Sequence, residues 1–139
     1  MRRLLALALA LCPAMAPAQT FTDIYWQLLA IDGQLTETPA KLRIDKDNVL
    51  AGAAPCNRWS AMNGVDLPGL SLGAIRSTRM ACDKLAEEQA FFDTLALMKT
   101  VTQDGERNLV LSGPDGRTME FVLDRTDSQT ACKTCAPTD

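Results

Sequence analysis

The chain has 139 residues, 47% of them hydrophobic and 22% charged, with a formal net charge of −3 and no histidine. That length suffices for one domain with a real core. The acidic balance argues against nucleic acid, whose phosphates need a basic patch, and more weakly against an anionic membrane surface. The missing histidine excludes a Cys–His nucleophile, a Ser-His-Asp triad and histidine-ligated zinc.

Met1-Arg2-Arg3 is a short positive start, and residues 4–11 alternate Leu and Ala without a charge. Ala16-Pro17-Ala18 then places small residues where a signal peptidase reads, so cleavage is expected before Gln19. Pro13 breaks the apolar run well short of the roughly 20 residues a spanning helix needs. Lipid modification at Cys12 is the competing reading. Leu11 before the cysteine and Pro13 after it disfavour that, so the expectation is a periplasmic or secreted protein. Loss of residues 1–18 removes Arg2 and Arg3 and none of the 17 acidic residues, which leaves the mature chain more acidic.

Residues 24–31 combine β-branched, aromatic and aliphatic side chains and read as a strand ended by Asp32-Gly33. Residues 40–45 alternate, with Leu42 and Ile44 on one face and Lys41 and Arg43 on the other. Lys46-Asp47-Asn48 is a turn, and residues 49–53 return. Residues 56–62 extend again to the turn signal Asn63-Gly64, and Leu70 and Leu72 alternate beyond it.

The period then changes. Asp83 is placed to cap a helix running to Met98 or Lys99, with Glu87 and Glu88 near its positive end. Leu85, Phe91, Phe92, Leu95, Ala96 and Met98 form its apolar stripe. Glu88 falls inside that arc, either turned outward in the first turn or hydrogen-bonded to the sheet. A hairpin follows over residues 101–103 and 108–112 around Asp104-Gly105. Gly113-Pro114-Asp115-Gly116 is another turn, and residues 118–123 form the last strand, with Met119, Phe121 and Leu123 on its apolar face. Residues 126–139 are polar and read as a flexible tail.

Four cysteines remain after cleavage: Cys56, Cys82, Cys132 and Cys135. An even number in an exported protein reads as two disulfides. Three pairings are possible, and Cys56–Cys82 with Cys132–Cys135 is preferred.

The strand bearing Cys56-Asn57-Arg58, the Thr78-Arg79-Met80-Ala81-Cys82 segment leading into one helix, and the strands after it resemble the META domain family, which includes the HslJ-type heat-shock proteins. Matching positions are Trp26, Leu28, Ile31 and Gly33, then Gly52, Cys56, Asn57 and Arg58. Thr78, Met80, Ala81 and Cys82 follow, with Glu88, Phe91 and Leu95 on the helix. Leu109, Leu111, Gly116, Met119 and Phe121 complete the match, which covers residues 22–124. The chain departs where the family often has glycine, at Pro55 and Ala61; proline fixes φ and removes a donor.

The resemblance implies an α+β fold, an antiparallel barrel-like sheet with one helix packed against it. It also implies an envelope location, no enzymatic activity, and a link to stress and antibiotic tolerance. The implied fold is similar to that of the lipoprotein chaperones (pilotins) of secretion systems.

The Cys56–Cys82 pair reads as a structural staple in preference to a redox switch or nucleophile, although a thiol at a helix start would have a lowered pKa. Cys132-Lys133-Thr134-Cys135 has the spacing of a redox or metal site. Its place in a polar tail, without two further ligands, favours a small local disulfide. On an alternating strand, Asn57 and Trp59 share one face and Cys56 and Arg58 the other. The first pair reads as structural and Arg58 as more open. Asp83, Glu87, Glu88 and Asp93 match no calcium loop and read as a cap with dipole-complementing charges.

The expectation is a signal peptide at 1–18, a META/HslJ-like domain at 19–125 and the tail at 126–139. Its role would be that of a stress-related, non-catalytic envelope protein, monomeric, without metal or cofactor, binding an apolar ligand or a protein partner. The alternative is an inhibitor or chaperone-like, pilotin-like interaction module. Arg58 and Arg79 are the candidate contact residues.

Overall fold

The computed structural model describes residues 21–137. The leader, its cleavage site and Cys12 lie outside the described residues. Among the described residues no helix is long and apolar enough to cross a membrane.

The described residues form nine strands, one α-helix and a short 3-10 turn at Pro114–Gly116, in chain order β1 Trp26–Ile31, β2 Gln34–Leu35, β3 Lys41–Ile44, β4 Val49–Ala53, β5 Arg58–Met62, β6 Arg76–Ser77, α1 Leu85–Leu97, β7 Thr100–Asp104, β8 Asn108–Ser112 and β9 Thr118–Val122. The strands make one sheet in the order β6-β5-β4-β3-β1-β9-β8-β7, with β2 paired to β1. Every pairing is antiparallel.

The sheet is not closed into a barrel, which corrects the barrel-like architecture expected from the resemblance. Its end strands, β6 and β7, do not pair. The β5–β6 connection touches β7 through one isolated bridge, Gly69 with Thr100. Leu70 N donates to Lys99 O (2.7 Å) and Val101 N to Pro68 O (2.9 Å) beside it. A continuous ladder fails there for a local reason. The connection holds Pro68, which has no N–H, and Gly64, Gly69 and Gly73, which weaken strand pairing.

Leu42, Ile44, Leu50 and Trp59 from one half of the sheet and Leu109, Leu111, Met119 and Phe121 from the other meet Phe91, Leu95 and Met98 in a single core. Strand alternation therefore holds in β3 and β5 but not in β9, where Glu120 and Val122 are buried as fully as Met119 and Phe121, and Leu123 lies beyond the strand and is exposed. Gly52 sits in β4 because a Cβ there would lie 1.8 Å from the Lys41 carbonyl oxygen on β3.

Helix α1 differs from expectation at its start. Lys84, not Asp83, occupies the N-cap position, without a side-chain hydrogen bond. The buried face is narrower than the predicted stripe and consists of Glu88, Phe91, Thr94 and Leu95, while Leu85 and Ala96 are exposed. Strand β5 begins at Arg58 because the N–H groups of Cys56 and Asn57 are committed to Glu88.

Candidate functional site

Glu88 is the discordant residue of α1, and its carboxylate is buried. Its Oε2 accepts from the backbone N–H groups of Cys56 and Asn57, each at 2.8 Å. Its Oε1 accepts from Asn57 Nδ2 at 2.6 Å. Glu88 is thus turned inward and not outward, and its partners are the two residues that lead into β5.

Asn57 carries the connection onward. Its Oδ1 accepts from Met80 N (2.7 Å) and from Thr78 Oγ1 (2.8 Å), and its Nδ2 also reaches Met80 O (3.2 Å). A polar pair with all these bonds made is rigid in a low-dielectric setting. The Cys56–Cys82 disulfide, with Cα atoms 5.7 Å apart, ties the same two segments covalently.

The 77–81 segment is thereby held beside α1, leaving an open groove of about 430 Å³. Its apolar lining is Met80, Leu85 and Phe92, and Arg79 and Gln89 supply polar tips. Met80 is 68% exposed and Leu85 46%. Beneath them, Phe92 packs on Phe91 and Trp59 at centroid distances of 5.6 and 6.3 Å.

Closing a loop of this length stabilises by roughly 3 kcal/mol through the unfolded chain. The Cys56→Ser/Cys82→Ser double variant is therefore expected to lose about 3 kcal/mol in urea unfolding. An unchanged midpoint would deny the staple any role in stability.

Arg79 lines the groove, but Arg58 does not join it. Arg58 is exposed on the opposite face of β5, above Ala53 and near Tyr25 and Lys41. Asn57 and Trp59 are buried on the inner face, as the alternation implied. Glu87 pairs with Lys84 at 3.9 Å. No cluster of three or more His, Cys, Asp or Glu capable of holding a metal occurs among the described residues.

A second buried carboxylate, Glu120 on β9, went unnoticed in the sequence. It accepts from Asn108 Nδ2 (2.6 Å), from the backbone N–H groups of Lys133 (2.8 Å) and Thr134 (2.8 Å), and from Thr134 Oγ1 (2.7 Å). Asn108 Nδ2 also donates to Ala131 O at 2.8 Å. Cys132 and Cys135 are disulfide-bonded with Cα atoms 5.5 Å apart, which shapes the loop that presents these donors.

Thr134 O packs over Gly33, where a Cβ would meet it at 3.0 Å. Upstream, Asp127 pairs with Arg107. The Gln129 N–H, together with Arg107, holds the Asp127 carboxyl below its usual range. The Thr126 hydroxyl and N–H do the same for Asp124. These contributions are complete at neutral pH and fade as pH falls through the lowered values. The signal that could have located Glu120 is only a carboxylate at the centre of an apolar strand.

Three solved structures share the fold. An NMR structure of a protein from Burkholderia xenovorans has 22% identity, covers 76% of this chain and 84% of its own, and superposes with a TM-score of 0.59. A second NMR structure has 18% identity, 78% and 96% coverage and a TM-score of 0.57. A DUF4847-family protein from Bacteroides vulgatus has 11% identity, 78% and 97% coverage and a TM-score of 0.57. A search of curated proteins finds no match. The META domain profile matches residues 19–126, most of the chain, and the chain belongs to the META domain family.

Proposed function

We propose that this META domain is an HslJ-type envelope protein of the stress response that holds an apolar group in the groove between residues 77–81 and α1. In this reading the domain binds and does not catalyse. The observation that carries the reading is Met80, 68% exposed. It sits on a segment fixed by three hydrogen bonds to Asn57. Scattered exposed apolar side chains are ordinary. An exposed methionine beside Leu85 and Phe92, on backbone that cannot relax, is a preorganised contact. Two disulfides and a leader-like start support an extracytoplasmic location.

The occupant is an apolar ligand or an apolar side chain of a protein partner; the latter corresponds to the pilotin-like alternative. Native mass spectrometry of the protein purified from its own envelope separates them. A co-purifying lipid-sized mass supports the ligand, and a stoichiometric polypeptide supports the partner. Met80→Glu is expected to reduce either by about tenfold while leaving the melting temperature unchanged, since burying a carboxylate against apolar surface is costly. Retention of the same adduct by Met80→Glu would remove the groove from consideration.

A further inference from the structure

The outer face of strands β3 to β6 carries cations in two cross-strand rows. Lys41 pairs across to Ala53, and Ala53 to Arg58. Arg43 pairs across to Ala51, Ala51 to Ser60, and Ser60 to Arg76. None of the residues of these four strands is acidic. Lys41, Arg58 and Arg76 form no ion pair among the described residues, whereas Arg43 pairs with Asp23 at 3.4 Å and lies over the Tyr25 ring. Asp45 and Asp47 sit in the turn beyond β3.

Strands lie about 4.8 Å apart, which sets Lys41 and Arg58 about 10 Å apart and Arg43 and Arg76 about 14 Å apart. Ala51, Ala53 and Ser60 make a low floor between them. Tyr25 and Met62, each 58% exposed, stand at the margins.

Charge on an edge strand discourages unwanted strand pairing. That accounts for Arg76 on β6. It does not account for Lys41 and Arg58, because β3 and β5 are interior strands with both neighbours in place.

We propose that this face docks the domain on an anionic phospholipid surface. The cations form a two-dimensional field and not a line. The interior strands offer no free backbone ladder for an extended acidic peptide, whereas a layer of phosphate headgroups needs only opposed charge. Tyrosine and methionine at the margins suit the apolar–polar boundary of a bilayer. The whole chain is net −3 even with these cations counted, so the rest of the molecule is more acidic still and repels the same surface; the domain approaches with this face leading and holds on weakly, with strong salt dependence. The face lies on the side of β5 away from the groove, so the two readings fail independently.

Co-sedimentation of the oxidised protein with vesicles tests the proposal, using phosphatidylglycerol mixed equally with phosphatidylcholine against phosphatidylcholine alone. Binding is expected to the anionic vesicles only, decreasing with added salt. Each cation near the surface is worth about fivefold in partition, so Lys41→Gln/Arg58→Gln/Arg76→Gln should lower it about 100-fold. Lys99→Gln, exposed and outside both the groove and this face, should not change it. Equal binding to both vesicles, or an unaffected triple variant with native circular dichroism, overturns the proposal. Tighter binding to soluble polyglutamate than to vesicles of equal charge also overturns it, assigning the face to acidic polypeptides.

Discussion

Glu88→Ala is expected to destabilise the domain by about 4–5 kcal/mol, a large share of the stability of a domain this size. The truncation leaves two backbone N–H groups, those of Cys56 and Asn57, without an acceptor, together with one donor of the Asn57 amide. Each buried donor left unsatisfied costs about 1–3 kcal/mol. Relaxation cannot recover this, because the Cys56–Cys82 bond holds the donors in place while Asn57 remains tied to Thr78 and Met80. Water would have to enter from the groove, whose lining includes Glu88 and Asn57, to replace the lost oxygens.

Glu88→Gln is expected to cost about half as much, since one amide oxygen can still accept. Urea unfolding of both variants measures the difference. A Glu88→Ala protein within 1 kcal/mol of the parent would mean that Asn57 alone organises the junction. The disulfide and the carboxylate then divide the work in a testable way. The disulfide restricts the unfolded chain, whereas Glu88 satisfies the folded one. Because the disulfide also holds the Cys56 and Asn57 donors in place, the loss in the triple variant should fall short of the sum of the two.

The local chemistry of the fold was legible because it is written in adjacent residues. Alternation in residues 40–45 separated the buried Leu42 and Ile44 from Lys41 and Arg43 on the outer face. The turn at Lys46-Asp47-Asn48 has Asn48 at φ 66°, and the Pro114-Asp115-Gly116 turn has Asp115 and Gly116 at positive φ, conformations those residue types tolerate. Sheet closure was not legible. It depends on whether two short segments far apart in sequence meet, and β2 and β6, of two residues each, exist only through their partners.

Helix capping by Asp83 failed for a related reason. The segment before α1 is placed by Asn57 and the disulfide, which no propensity of Asp83 records. The groove was half legible. Arg79 was named as a candidate contact and Met80 only as a position of the family resemblance, while Arg58, named together with Arg79, lies on the other side of β5. The net charge of −3 also concealed a basic face, because composition averages over surfaces that a sheet keeps apart.

Glu120→Ala should cost about 4 kcal/mol and, unlike the change at Glu88, should do so with local release of the chain end. Glu120 and Asn108 form a buried pair on neighbouring strands, and the disulfide loop at Cys132–Cys135 covers them with the N–H groups of Lys133 and Thr134. Without the carboxylate the loop loses its three donations to Glu120 and keeps only Ala131 O on Asn108. Detachment then becomes favourable, because the freed N–H groups and Asn108 regain water. This escape route limits the cost below that at Glu88. It also predicts a signature that Glu88→Ala lacks: tryptic cleavage after Lys133 at least ~10-fold faster under native conditions, as expected for local opening, with the core still protected from hydrogen exchange. Cys132→Ser/Cys135→Ser should loosen the same loop more mildly, since the acceptor remains. Cleavage at the parental rate in Glu120→Ala would show that Gly33 and Asp127 hold the segment without the carboxylate.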